Sequence, residues 1–118
     1  MFSLSIGVVG PCAAGKSTLI EGMKEHGFVV KHIAQEHSYV KDMWERLTDP
    51  DVLIYLDVSY IQSKLRRDMN WTNKEFLDQV QRLRHAKANA DLYIDTEDLT
   101  PQEVLNMVLN YLAAHERS

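Results

Sequence analysis

Short apolar runs alternate with amphipathic stretches along this chain, which predicts strands separated by helices. The apolar runs are rich in strand-forming residues and are bounded by turn residues such as glycine, proline and aspartate. They span residues 2–9, 28–34, 51–58 and 92–95. Because strands that are joined through a helix run parallel when they share a sheet, the pattern predicts an α/β fold around a parallel sheet.

Apolar residues at helical spacing, together with capping residues, mark five predicted helices. These span 16–26, 40–47, 59–68, 72–89 and a C-terminal segment that begins at residue 101. The helix at 59–68 is predicted to turn Ile61 and Leu65 inward. Capping-box pairs open the last three helices: Ser59 with Gln62, Thr72 with Glu75, and Thr100 with Glu103.

Length and composition indicate one globular domain. The chain has 118 residues, of which 45% are hydrophobic and 25% charged, enough to bury a single core. No repeat or linker divides it, so we predict one domain over residues 1–118, with about four parallel strands flanked by helices. The sequence has no apolar run of about 20 residues and no basic leader, which favours a cytoplasmic protein without a membrane segment.

The charge balance argues against a protein whose main role is to bind nucleic acid. The chain carries 13 lysines and arginines against 17 aspartates and glutamates, for a formal charge of -4. A local basic patch is the alternative nucleic-acid surface, formed by Lys64, Arg66, Arg67, Arg82 and Arg84. The single cysteine, Cys12, excludes an internal disulfide framework and a multi-cysteine zinc site, which fits a reducing compartment.

The strongest chemical signal is the segment GPCAAGKS, which follows the first predicted strand. It fits the pattern G-x-x-x-x-G-K-[ST], in which backbone N–H groups and the positive end of the next helix surround a phosphate. Lys16 would reach the β- and γ-phosphates, Ser17 would coordinate Mg²⁺, and Thr18 would contribute a hydroxyl near the α-phosphate. The predicted nucleotide-binding residues are Gly10, Pro11, Cys12, Ala13, Ala14, Gly15, Lys16, Ser17 and Thr18. The pattern therefore predicts ATP, or another nucleoside triphosphate, with Mg²⁺; a glycine-rich turn without a ligand is the alternative.

Four segments together resemble the small-molecule and nucleotide kinase branch of P-loop proteins, which includes adenylate, thymidylate, shikimate and deoxynucleoside kinases. They are GPCAAGKSTL, PDVLIYLDVS, KLRR and ADLYIDTEDLTPQEV. The resemblance implies a three-layer P-loop NTPase-like domain and phosphoryl transfer from ATP to a small acceptor. It also implies a lid-like helical segment at about 60–90, in which Arg66 and Arg67 would neutralise charge on the transferring group.

One segment departs from the kinase pattern, and two acidic residues are candidates for the role of the acidic motif that is missing there. Where those kinases insert an acceptor-binding segment and a strand that ends in an acidic motif, this chain has only residues 35–49. If the second strand lies directly beside the first, Glu36 comes close to Ser17 at the carboxyl edge of the sheet, as a base or metal ligand. Asp57 ends an apolar strand and is a second candidate Mg²⁺ ligand, with a capping role as the alternative.

Three other features bear on the ligand. Asn73-Lys74-Glu75-Phe76 fails the guanine-specific N-K-x-D pattern at its last position, which favours ATP. His37 is a candidate proton carrier or substrate contact, with a solvated loop residue as the alternative. Trp44 and Tyr39 are candidates for a stacking surface in the cleft, although the helical spacing of Trp44 equally predicts a core position.

The sequence supports two functional hypotheses. The first is an ATP- and Mg²⁺-binding protein that transfers the γ-phosphoryl group to an unidentified small acceptor, or hydrolyses it slowly. The second is a non-catalytic nucleotide-sensing module that acts through a protein partner. In either case a second copy of the chain could complete the open cleft as a homodimer.

Overall fold

Four parallel strands form one sheet in the computed structural model, which describes residues 4–38, 40–67 and 72–116. The strands are β1 (Ser5–Val9), β2 (Val29–His32), β3 (Val52–Asp57) and β4 (Leu92–Asp95). Their order across the sheet is β2-β1-β3-β4. All four predicted strands are confirmed, and β2 lies directly beside β1, with Ser5 paired to Val29 and Val8 to His32.

Helices cover both faces of this sheet, because its inner strand β3 has apolar side chains on both faces. Val52, Ile54 and Leu56 join one core cluster, and Leu53 and Tyr55 join the other. The first cluster is covered by α1 (Lys16–Glu25) and α6 (Pro101–Glu116). The second is covered by α2 (Met43–Leu47) and by the turn between α4 (Asn73–Arg82) and α5 (Arg84–Ala88). The architecture is therefore α/β, with the parallel sheet between helices.

The helix predicted over 72–89 is two helices, which meet at Leu83. The Leu83 amide lies within hydrogen-bond distance of both Gln79 O (3.1 Å) and Val80 O (3.2 Å), and the residue separates the two helices. This break places the fully buried Leu83 and Ala86 together against the sheet. A short 3₁₀ turn, Gln35–His37, also follows β2 at a position where the sequence pattern indicated no element.

The prediction that Ile61 and Leu65 face inward is wrong. On α3 (Tyr60–Arg67) these side chains are 71% and 74% exposed. The helix instead turns the fully buried Ser63 inward, and the Tyr60 ring packs against Phe76 with centroids 5.8 Å apart. Because Ser63 is small, α3 can approach its neighbours more closely on this side than on the side of Ile61 and Leu65. Helical spacing identified the apolar stripe but not the side of the helix that packs.

The capping boxes predicted at Thr72 and Thr100 are confirmed. Glu75 N donates to Thr72 Oγ1 (3.2 Å), and Thr72 N donates to Glu75 Oε1 (3.1 Å). At α6 the Thr100 and Glu103 pair makes the same reciprocal bonds, at 3.2 and 2.9 Å. No helix in the described part of the chain is long and apolar enough to cross a membrane.

Replacing Glu103 with glutamine is expected to lower the melting temperature at pH 7, and by less as the pH falls towards 3. The pKa of Glu103 lies below its ordinary value because the Thr100 amide and hydroxyl both hydrogen-bond to the carboxylate. A group whose pKa is lower in the folded than in the unfolded protein stabilises the folded protein at any pH above its unfolded-state pKa. This stabilisation is lost as the pH falls through the folded-state pKa. Thermal unfolding of both proteins between pH 3 and 7 checks this, and a constant difference across that range would contradict it.

Candidate functional site

The glycine loop (Gly10–Ser17) connects the central strand β1 to α1 at the carboxyl edge of the sheet. Gly10 has φ +156°, and a Cβ built there would lie 2.2 Å from Leu56 O, so the loop passes directly over β3. Gly15 precedes α1 in a left-handed conformation, with φ 99° and ψ 19°. Two glycines, at the positions that the motif requires, thus shape a turn that opens onto the N-terminus of α1.

Lys16 is the first residue of α1, and its side chain is folded back under the loop. It is only 6% exposed. Its ammonium group donates to Gly10 O over 2.5 Å and forms an ion pair with Glu36 Oε2. Lys16 therefore links the start of the loop to the segment that follows β2.

Glu36 lies on the 3₁₀ turn after β2 and reaches the loop because β2 is the neighbour of β1. The sequence predicted Glu36 close to Ser17; in the structure both residues line one cleft, and the Glu36 carboxylate pairs with Lys16. The carboxylate is 4% exposed; one oxygen contacts Lys16, while Oε1 is buried without a hydrogen-bond partner. An unsatisfied buried carboxylate oxygen is unfavourable by about 1–3 kcal/mol unless a donor or cation reaches it. This atom is the clearest sign that the site is built to receive a further group.

Two polar side chains that the sequence analysis missed hold this turn and loop in place. Gln35 accepts a hydrogen bond from Trp44 N (2.8 Å) and donates to Val40 O (2.8 Å) and to Arg82 O (3.2 Å). Gln79 accepts from Cys12 N (3.1 Å). Both glutamines are buried, which composition does not reveal, because most glutamines are solvated.

A cleft of about 500 Å³ opens beside the loop. Lys16, Ser17, Thr18 and Glu36 all line it, so the structure brings the predicted phosphate, metal and base residues together. Its remaining wall combines polar and apolar side chains, which include His32, His37, Thr96, Leu99, Pro101 and Val104. The pKa of His32 lies below its ordinary value, because partial burial and the charge of Lys16 both disfavour the protonated ring.

Arg66 lines the cleft as predicted, but its guanidinium group is bound to the protein. It donates to Ala13 O (3.1 Å) and Thr96 Oγ1 (3.0 Å), and a further bond reaches Thr96 O. Arg66 therefore ties α3 to the glycine loop and to the end of β4. The side chain of Arg67, the second predicted lid residue, lies outside the described part of the chain.

Asp57 is not brought together with Ser17 and Glu36. Its Oδ2 accepts a hydrogen bond from the Tyr93 hydroxyl (2.5 Å), with Lys87 Nζ 3.8 Å away. Alternation along β3 places it on the same face as Tyr55, opposite to α1. The pKa of Tyr93 is raised because the ring is partly buried and its hydroxyl donates to Asp57, so this hydroxyl keeps its proton. We accordingly leave Asp57 out of the candidate metal site.

The stacking surface predicted from Trp44 is also absent from the cleft. Trp44 is 6% exposed in the core, and its Nε1 donates to His85 Nδ1 over 3.0 Å. Tyr39, the other predicted stacking residue, lies outside the described residues.

The donor set fits a phosphate group with a hard divalent cation. A loop at a helix N-terminus and a lysine ammonium attract anions, while the Ser17 hydroxyl and the unpartnered Glu36 Oε1 are oxygen ligands of the kind that Mg²⁺ prefers. A scan against models of known protein families and a search of curated proteins both find no match to this chain.

Proposed function

We propose that this chain is a P-loop nucleotide-binding protein that binds ATP with Mg²⁺ and transfers or hydrolyses its γ-phosphoryl group. The observation that supports this most strongly is the convergence of Lys16 with a buried carboxylate, one of whose oxygens has no partner, beside a glycine loop at a helix N-terminus. Positive charge and N–H groups bind phosphate, and the carboxylate provides the base or the metal ligand that phosphoryl transfer needs.

Lys16 would neutralise the β- and γ-phosphates. An ammonium group has three donors, and Gly10 O and Glu36 account for two of them. The third would donate to a phosphate oxygen. Because the group is buried, its attraction for phosphate is less screened than that of a surface lysine.

Glu36 would accept the proton of the attacking hydroxyl or water at Oε1, the oxygen that faces no protein donor. Alternatively, Glu36 would join Ser17 as a ligand of Mg²⁺, which would neutralise phosphate charge when bound. Arg66 would act as a positioning residue, because its donors hold Ala13 O and Thr96 while its charge adds to the positive potential of the cleft. The acceptor is a small molecule whose identity the lining residues leave open.

One observation favours the second candidate, a nucleotide sensor that acts through a protein partner. Arg66 on α3 contacts the loop carbonyl of Ala13, and the same helix exposes Ile61 and Leu65. A change in loop position would therefore be transmitted directly to an exposed apolar stripe. Sensing requires different affinities for ATP and ADP, because a ligand shifts an equilibrium only through differential binding.

Calorimetric titration of ATP with Mg²⁺ tests the nucleotide site. We expect micromolar binding to the wild-type chain and a loss of at least about 100-fold, or about 2.7 kcal/mol, in Lys16→Met/Glu36→Gln, which removes both charges and so leaves no buried charge unpaired. Lys24→Ala, in the last turn of α1, is the matched control and should bind like wild type. Unchanged binding by the double variant would contradict the proposal.

An assay of ADP formation and of phosphate release on the same mixtures separates the two candidates. Hydrolysis yields ADP and free phosphate, whereas transfer to an acceptor yields ADP without free phosphate, so ADP formation that the double variant abolishes supports the enzyme. A difference in ATP and ADP affinity without ADP formation, in the presence of candidate acceptors, supports the sensor.

A further inference from the structure

A second set of metal-binding side chains meets at the mouth of the cleft. Cys12 from the glycine loop and the adjacent pair Glu36 and His37 each offer one ligand atom, and these atoms all lie within 4.8 Å of one another. A thiol, a carboxylate and an imidazole are the ligands of zinc rather than of magnesium. We propose that Cys12, Glu36 and His37 form a site for a soft divalent cation, with Zn²⁺ as its natural occupant.

The three ligand atoms lie within 4.8 Å of one another, so they must close in to meet one tetrahedral ion. Zinc bonds of about 2.0–2.3 Å place tetrahedral ligand atoms about 3.5 Å apart. His37 Nε2 lies 4.0 Å from Glu36 Oε2, the oxygen that pairs with Lys16, and the His37 side chain is 60% exposed and so has room to rotate towards a cation on Oε1. Three protein ligands leave one position of a tetrahedral ion for water.

The buried carboxylate provides an independent reason to expect a cation here. Glu36 Oε1 has no hydrogen-bond partner although the residue is 3% exposed. Lys16 satisfies only the other oxygen. In the chain without nucleotide, a cation on Oε1 removes the unfavourable burial of an unpaired oxygen.

Neighbouring side chains hold two of the ligands in position. Gln79 contacts Cys12 twice: it accepts from the main-chain N–H over 3.1 Å, and its amide lies 3.4 Å from Sγ. These two contacts fix the position of the Cys12 side chain in the loop. Arg82 Nη1 donates to the main-chain oxygen of Glu36 (3.2 Å) and so fixes the 3₁₀ turn. Such contacts orient metal ligands in zinc proteins.

The test uses the whole chain without nucleotide, and therefore does not depend on the proposed function. Because Cys12 is the single cysteine, any thiol reagent reports on this site alone. We expect Zn²⁺ to slow labelling of Cys12 by a disulfide reagent at least about tenfold, an effect that a chelator reverses and Mg²⁺ does not reproduce.

Calorimetry with Zn²⁺ then assigns the ligands. We expect Cys12→Ser and His37→Gln each to raise the Kd for Zn²⁺ at least about tenfold. His26→Gln, beyond the opposite end of α1, is the matched control and should bind like wild type. His37 is exposed, so its variant keeps the test valid even if the Cys12 variant folds poorly.

Equal Zn²⁺ affinity in the wild type and in His37→Gln, or labelling of Cys12 that Zn²⁺ does not slow, would overturn the site. Neither result bears on ATP binding, which the Lys16→Met/Glu36→Gln variant tests separately.

Discussion

Replacing Gly10 with alanine is expected to lower the free energy of unfolding by at least about 3 kcal/mol and to abolish nucleotide binding. The new Cβ would lie 2.2 Å from the main-chain oxygen of Leu56, on the central strand β3. Main-chain atoms of a fully paired strand cannot move aside as a flexible side chain can, so the loop itself must shift. The backbone at Gly10 is also in a region of φ that alanine rarely adopts.

Gly27→Ala is the matched control, because it isolates the backbone strain from the clash. Gly27 has φ +87°, yet a Cβ there would meet nothing within 4 Å. We expect a loss of about 1 kcal/mol, the strain of a left-handed alanine alone. Urea unfolding of the three proteins checks both values. Equal losses in the two variants would show that the contact with Leu56 does not constrain the loop.

Removing the Lys16 charge is expected to have the second large effect on stability. In Lys16→Met the Glu36 carboxylate loses its partner while it remains buried, and we expect the free energy of unfolding to fall by about 3 kcal/mol. Adding Glu36→Gln should recover most of this loss and bring the double variant to within about 1 kcal/mol of wild type, because buried ion pairs are often replaceable by neutral groups.

A double-mutant cycle from urea unfolding at pH 7 measures the coupling between Lys16 and Glu36. Additive losses in the two single variants and the double variant would show that the residues do not act as a pair. The Lys24→Ala variant, which removes an exposed charge from the same helix, is expected to change stability by less than about 0.5 kcal/mol.

Much of the candidate site was predictable, because its signals are local. The glycine spacing predicted the turn between β1 and α1, and Gly10 and Gly15 do adopt positive φ values. The position of Glu36 was predictable only under the condition that β2 neighbours β1, and the strand order meets this condition. The roles assigned to these residues in binding and catalysis remain predictions.

Other site assignments failed because they depended on side-chain direction. Asp57 ends an apolar strand, as a metal-binding aspartate would, but the alternation along β3 directs it to Tyr93 and Lys87. Trp44 lies on an amphipathic helix and its ring lies in the core, which is the alternative that its helical spacing predicted against a stacking surface. Sequence spacing identifies which residues share a face, and it carries no information on what that face contacts.

By itself, the sequence determined the α/β class, the four strands, the glycine loop and the capping boxes at Thr72 and Thr100. Each of these depends on residues within about ten positions of one another, so the physical causes act within one segment. Only the tertiary structure decided that β2 lies beside β1, that Glu36 pairs with Lys16, and that Ile61 and Leu65 remain exposed. These outcomes join segments that are distant along the chain, and the packing of the whole core selects among arrangements that local preferences leave equivalent.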